Sequence, residues 1–393
     1  MFPYKRNIYS LYLIKIAKWF MVYMPIVVLF FQDNGLGMKE ILTLQSIYSI
    51  AIILLEIPSG YLSDVWGRRN TLILGSVLGT IGFFVYSNST GFYGFLTAQL
   101  ILGTGQSFIS GSDSALLYDS LKLAGKENQY VKYEGQILSI GNFSETIAAV
   151  VGGFLAEISL RTPFHWQTAI AAIAIPAAIF TVEPKLYTKE QVIRFKNIIN
   201  IVKLCLYKSR ELFVNILFSA IVGCATLTMA WILQAYLAGV HNFSEYQIGI
   251  SWSVLNLTVG ISTIFAYKFE RTFGKRTTVF IILLVTGGVY ILLGLTTSVI
   301  VFIAIWLFYF IRGVATPVLK NYINELCEPN VRATVLSIRN LAIRLIFAVV
   351  APFIGWYTDV YSINQAFLLS GIFIIVFGAI AFTIFIPYLK NKQ

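Results

Sequence analysis

Twelve stretches of roughly twenty or more mostly apolar residues run through this chain, near 8–32, 39–63, 70–88, 92–119, 131–157, 163–182, 211–239, 245–267, 277–297, 298–325, 332–358 and 363–388. A helix rises about 1.5 Å per residue, so about 20 apolar residues cross the roughly 30 Å hydrocarbon core of a bilayer. Inside that core every backbone polar group needs a partner within the protein, which leaves helices or closed barrels. Barrel strands need only about 10 residues, so runs of this length predict an all-α integral membrane protein. Composition agrees. The chain is 57% apolar and 12% charged, where soluble domains hold about 25% charged residues. A water-soluble globule is excluded. The first run is too long for a signal peptide and lacks a small-residue cleavage site, so it reads as a spanning helix.

The basic residues set the expected orientation. With the N-terminus inside, the inner segments hold 21 Lys and Arg and the outer segments hold two, Lys39 and Arg161. Loops rich in Lys and Arg stay in the cytoplasm. Both termini are therefore expected to be cytoplasmic, in a multi-pass plasma membrane protein. The net charge of +11 follows from those loops and gives no reason to expect a nucleic-acid partner. Six spans fill 1–182, a basic linker fills 183–210, and six more spans fill 211–393. Within the linker Val192, Phe195, Ile198, Ile199, Val202 and Leu206 recur at helical spacing among basic residues. That pattern predicts an amphipathic helix lying on the inner leaflet.

Cys205, Cys224 and Cys327 have no metal-ligand spacing, and His165 and His241 stand alone. Neither a disulfide framework nor a zinc site is read, and no cofactor or metal is expected. Without a Ser-His-acid spacing or a metal set, the chain is not read as an enzyme. Nothing resembles a repeated selectivity filter, which argues against a channel.

A shift of about 206 residues brings the two halves into register. Asp64 falls on Glu270 and Asp119 on Glu325, and DVWGRR at 64–69 answers ERTFGKR at 270–276. Duplicated halves of six spans are the build of one large transporter class. The stretch GYLSDVWGRR, residues 60–69, resembles the signature between the second and third spans of the major facilitator superfamily. Gly60, Asp64, Gly67, Arg68 and Arg69 match that pattern. Val65 stands where a basic residue usually follows the aspartate. The resemblance implies two pseudo-symmetric six-helix bundles and a cytoplasmic gate formed by Gly60, Asp64, Gly67, Arg68, Arg69, Asp119, Glu270 and Glu325. Gly60 would permit close helix packing and Gly67 a tight turn. Asp64 would accept hydrogen bonds at the start of the eleventh span, near Arg332, and Arg68 or Arg69 would pair with Asp119.

Ionisable residues inside a membrane are costly and mark function by default. Six bases, Lys15, Lys18, Arg312, Lys320, Arg339 and Arg344, face three acids, Glu56, Asp113 and Glu145. The resemblance implies a central cavity lined by the first, fourth, seventh and tenth spans. Gln106, Ser110 and Asp113 share one helical face, as do Tyr309, Arg312, Thr316 and Lys320. Lys15, Lys18, Trp231, Gln234, Asn340 and Arg344 complete the expected substrate cavity. Asp113, Glu145 and Glu56 are the candidate proton carriers, Glu56 with a share in the gate. Lys320 and Arg339 lie near span ends, where they can snorkel. The cationic surplus suggests an anionic or amphiphilic solute. In the fifth span Gly152 and Gly153 resemble half of a motif of drug/proton antiporters, while Ala149 and Val150 depart from it. The expected function is secondary active transport of a small organic solute by alternating access, as proton-coupled efflux by a monomer. The alternatives are proton-coupled uptake of an organic anion and a non-transporting scaffold or receptor.

Overall fold

A computed structural model describes residues 3–184, 209–327 and 331–388 of the chain. The predicted linker helix lies outside the described residues. All the regular structure among the described residues is helical. The first span is α1 (Tyr4–Trp19) and α2 (Val27–Asp33), separated by a short 3₁₀ turn at Met24–Ile26. The second is α3 (Met38–Trp66), with Pro58 inside it, and the third is α4 (Arg68–Asn88). The fourth consists of α5 (Gly91–Ile109) and α6 (Ser112–Leu123), and the fifth is α7 (Tyr130–Ile158). The sixth consists of α8 (Thr162–Ala172) and α9 (Ala174–Ile179).

The seventh span is α10 (Arg210–His241), started by Ser209, whose hydroxyl accepts the Leu212 N–H at 3.3 Å. The continuous α11 (Glu245–Leu295) contains the eighth and ninth spans, divided at Gly274 with φ 76° and ψ 160°. The last three spans are α12 (Ile300–Glu325), α13 (Arg332–Val360) and α14 (Ile363–Phe385). Among the described residues nine helical stretches are long and apolar enough to cross a membrane unaided, and one of them, α11, is long enough for two crossings. The fourth and sixth spans are broken into shorter pieces.

The described residues group into two compact units. One lies within Met1–Leu36, Ile47–Val192 and Phe243–Ser253, the other within Gly37–Ser46, Ile193–Asn242 and Val254–Gln393. In the first unit Tyr4, Ile8, Leu11 and Ile14 of α1 pack with Leu116, Leu117 and Leu121 of α6. In the second, Phe218 and Val222 of α10 pack with Val279, Ile282, Val314 and Val318. Leu54, Ile264 and Val349 are 67%, 77% and 71% exposed. In water that much bare aliphatic surface would be a liability; facing hydrocarbon it costs nothing, because lipid tails are as apolar as leucine.

Small residues in α7 set its close contacts. Gly152 lies against the Val22 backbone, and Gly153 against Glu245, Tyr246 and Gly249 at the start of α11. No side chain larger than hydrogen fits at Gly152 without parting the two backbones, which explains the glycine pair without appeal to its conformational freedom.

Candidate functional site

In the first unit three helices meet around a cavity of about 20 Å³. It is lined by Leu11, Ile14, Lys15 and Lys18 of α1, Asp113 and Ser114 of α6, and Glu134 and Ile137 of α7. That space accommodates about one water molecule. Lys15 and Lys18 are one turn apart and so share a face of α1. Lys15 is buried, with its Nζ 4.6 Å from the Trp19 ring centroid. A cation over an aromatic face recovers part of the hydration it has lost. Gly141 of α7 leaves room for this stem, since a Cβ there would stand 2.9 Å from Lys15 Cε. Asp113 and Glu134 are the carboxylates that line the same cavity as Lys15 and Lys18. The Ser114 hydroxyl donates to Glu134 Oε1 at 2.9 Å, and Asp113 Oδ1 accepts the Ser114 N–H at 2.8 Å. One turn away on the same seam, the Tyr12 hydroxyl donates to Gln136 Oε1 at 2.7 Å.

The position of Asp113 depends on a break that the helical-face reading missed. Ser110 is extended, and Gly111 has φ 82° and ψ −35°. A backbone with positive φ suits glycine and interrupts an α-helix. Gln106, Ser110 and Asp113 therefore do not form one continuous stripe. Asp113 belongs to the first turn of a new helix, where a carboxylate is favoured by the helix dipole. Glu134 was missed altogether. It lies only one turn into α7, among charges that read as a loop edge. Glu145, eleven residues further along α7, is displaced by about 16 Å along the helix axis. Glu56 is half-buried beside Pro58.

The two related loops carry matched ion pairs, each within its own unit. Gly67 has φ 101° and Gly274 φ 76°. Arg68, just after Gly67, pairs through Nε with Asp119 Oδ2 at 3.7 Å and through Nη1 with Asp64 Oδ1 at 2.5 Å. Lys275, just after Gly274, pairs with Glu325 Oε2 at 2.6 Å. The internal repeat in the sequence thus matches a repeated structure: glycine turn, base, and an acid at the end of the fourth or tenth span. Glu270 is half-buried one turn before Gly274. Gly60 is exposed, and a Cβ there would meet nothing within 4 Å.

Asp64 is engaged by Arg68. The carboxylate that holds a helix start in this region is Glu183, which the sequence reading passed over. Its Oε1 accepts the Arg68 N–H at 2.9 Å and its Oε2 the Arg69 N–H at 2.7 Å. The Arg69 guanidinium donates to the Ile179 carbonyl at 2.9 Å. Asp359 does the same for α3 within the second unit, accepting the Met38 and Lys39 N–H groups at 2.8 Å each. A carboxylate across two free N–H groups satisfies orphan donors and meets the positive end of the dipole. Outside the spans, Lys126 donates to the Tyr4 hydroxyl at 2.6 Å, a bond that holds its ammonium above the ordinary value.

A methyl group at Gly67 would strain the backbone at φ 101° and stand 3.1 Å from the Glu183 carboxyl carbon. Gly67→Ala is expected to destabilise the protein by about 1–3 kcal/mol. A thermal melt of the purified variant checks this. A melt unchanged from wild type would show that the turn relaxes freely.

The second unit holds the remaining candidates. Arg312 lies over the Tyr309 ring at 5.4 Å, and the Thr316 hydroxyl donates to the Arg312 carbonyl at 3.1 Å. Gln234 is buried and donates to the Ala230 carbonyl in its own helix at 3.3 Å. Trp231 and Arg344 are half-buried, and Asn340 is exposed. Arg339 does not snorkel. It is 6% exposed, and its Nε donates to the Ser219 hydroxyl and Nη1 to Asn340 Oδ1.

The family model of the Major Facilitator Superfamily matches residues 9–199 and 216–393. The chain belongs to the major facilitator superfamily. It is an all-α membrane protein of two six-helix bundles, and a secondary transporter, not an enzyme. An uncharacterized MFS-type transporter of Methanocaldococcus jannaschii is 20% identical over 370 residues, 91% of this chain and 92% of that one. The quinolone resistance protein NorA of Staphylococcus aureus is 21% identical over 252 residues, 63% of this chain and 61% of its own. Among solved structures, the nucleoside transporter NupG superposes with a TM-score of 0.81 at 14% identity, covering 98% of this chain and 99% of that one. A bacterial homologue of the human lysosomal transporter Spinster, inward-facing and unoccupied, gives 0.79 at 15% identity, covering 100% and 99%. Likenesses this remote establish the fold of this family member and leave its solute to chemistry.

Proposed function

We propose that this superfamily member exports a small organic solute in exchange for protons, exposing its site alternately to the two sides of the membrane. The observation that carries the reading is the cluster of Lys15, Lys18, Asp113 and Glu134 around one small cavity. Two ammonium groups balance two carboxylates. Adding a proton leaves one uncompensated positive charge in a low-dielectric site, and a solute able to displace that proton restores balance. Competition for the same carboxylates is the simplest basis for exchange, since a ligand shifts a conformational equilibrium only through differential affinity. Likeness to a quinolone resistance protein supports outward movement. The loop pairs Arg68–Asp119 and Lys275–Glu325 serve as a gate. They are partly exposed, so each contributes about 0–1 kcal/mol, weak enough to rearrange as its loop moves in each cycle. Both termini are cytoplasmic in this reading, and the protein acts as a monomer in the plasma membrane. A second reading, proton-coupled uptake of an organic anion, is favoured by the buried Arg339.

The test uses cells expressing the chain and loaded with a fluorescent quinolone. Export predicts lower accumulation than in control cells, abolished by a protonophore. Higher accumulation in expressing cells would reverse the direction. Insensitivity to the protonophore would remove proton coupling.

A further inference from the structure

A second charged cluster, in the other unit, is built differently. Arg339 of α13 is 6% exposed, and its described partners are neutral: the Ser219 hydroxyl and the Asn340 amide oxygen. Lys320 of α12 is half-buried and lies one turn before Ile323, which shares a buried cluster with Val335, one turn before Arg339. Among the described residues neither cation has a carboxylate within 4.0 Å. Asn215 lies one turn before Ser219 on the same face of α10. It is fully buried, and neither its Oδ1 nor its Nδ2 has a hydrogen-bond partner. Leu212 and Ile216 of α10 pack with Ile323 of α12 and Val335 of α13, which brings these three helices together at this level.

Two cations brought together inside a membrane protein, with no counter-ion among the described residues, are energetically expensive. An unbonded buried amide adds to the cost. Such an arrangement persists when a ligand supplies what is missing. A planar guanidinium, an ammonium, a hydroxyl and an amide make a donor set suited to a phosphate or carboxylate.

We propose that Arg339, Lys320, Ser219 and Asn215 form a binding site for an anionic oxygen group, carried either by a soluble solute or by a lipid headgroup. The proposal does not depend on the proton cluster read in the first unit. It gives a local reason for the cationic surplus of the second half of the chain. It also makes Asn215 a ligand-facing residue, a role its place among apolar neighbours does not announce.

The test is the thermal stability of the full-length purified protein, with inorganic phosphate or acetate set against chloride at equal ionic strength. A parallel arm compares vesicles containing phosphatidylglycerol with vesicles of phosphatidylcholine alone. Wild type is expected to be stabilised by phosphate, or by phosphatidylglycerol if the anion is a headgroup. Lys320→Gln should weaken the response at least tenfold in the concentration required. Asn215→Leu provides the control for folding. Removing an orphaned amide should leave the anion-free melt unchanged or raised, while the anion response falls. Equal responses in wild type and Lys320→Gln overturn the proposal, as does the absence of stabilisation in both arms.

Discussion

Replacing Glu134 with Gln, or Asp113 with Asn, is expected to cut solute movement driven by a pH gradient and to spare exchange of solute for solute. Both carboxylates line the cavity that holds Lys15 and Lys18. Each amide keeps the shape of its parent and loses the ability to take up a proton. Gradient-driven transport in sealed vesicles is expected to fall at least tenfold, equivalent to about 1.4 kcal/mol of lost coupling. Exchange at equal pH on both sides needs no net proton transfer and should persist within a few-fold. Glu134→Gln should retain its acceptor contact with the Ser114 hydroxyl through the amide oxygen, so its melt should stay near wild type. Glu145→Gln serves as the comparison, because Glu145 lies well along α7 from the cavity. If Glu145→Gln abolishes coupling and the other two do not, the carrier is Glu145 and the cluster is a static ion network.

The second large effect is structural. Gly152→Ala places a methyl group where the Val22 carbonyl already stands. Backbone meets backbone there, so no rotamer change relieves the clash. Overpacking of this kind costs about 1–3 kcal/mol when side chains can adjust, and more is expected where they cannot. Folded yield should drop sharply, and the melt of what remains should fall by several degrees. Gly79→Ala is the control. A Cβ at Gly79 meets nothing within 4 Å, and helix propensity alone favours alanine by about 0.5–1 kcal/mol. Equal melts for the two variants would show that the α7 contact yields more easily than its geometry implies.

Most of the fold was legible because bilayer thickness, helical rise and backbone satisfaction leave few choices for runs of twenty apolar residues. The repeat was legible through four acids and two glycine turns. The pairs Arg68–Asp119 and Lys275–Glu325 occupy equivalent places in the two halves. The sites were less legible, for three physical reasons. The break at Ser110–Gly111 replaces one helix with two, so face arithmetic from Gln106 to Asp113 failed. A glycine flanked by serines was the available signal. Glu134, Glu183 and Asp359 sit at span ends, where charge is ordinary and only tertiary placement gives it meaning. Arg339 lies two turns into α13, near enough to a span end to suggest snorkelling, yet Ser219 across on α10 holds it inside. Sequence distance from a helix end does not report which way a long side chain turns.

The most direct measurement of the central claim is proton movement coupled to solute movement by the wild-type protein. The purified chain is reconstituted into sealed vesicles with a pH-sensitive dye inside, and a quinolone gradient is imposed with no initial pH difference. The account predicts that protons move opposite to the solute and that the pH change requires the protein. Quinolone flux without any pH change, or protons travelling in the same direction as the solute, would contradict it.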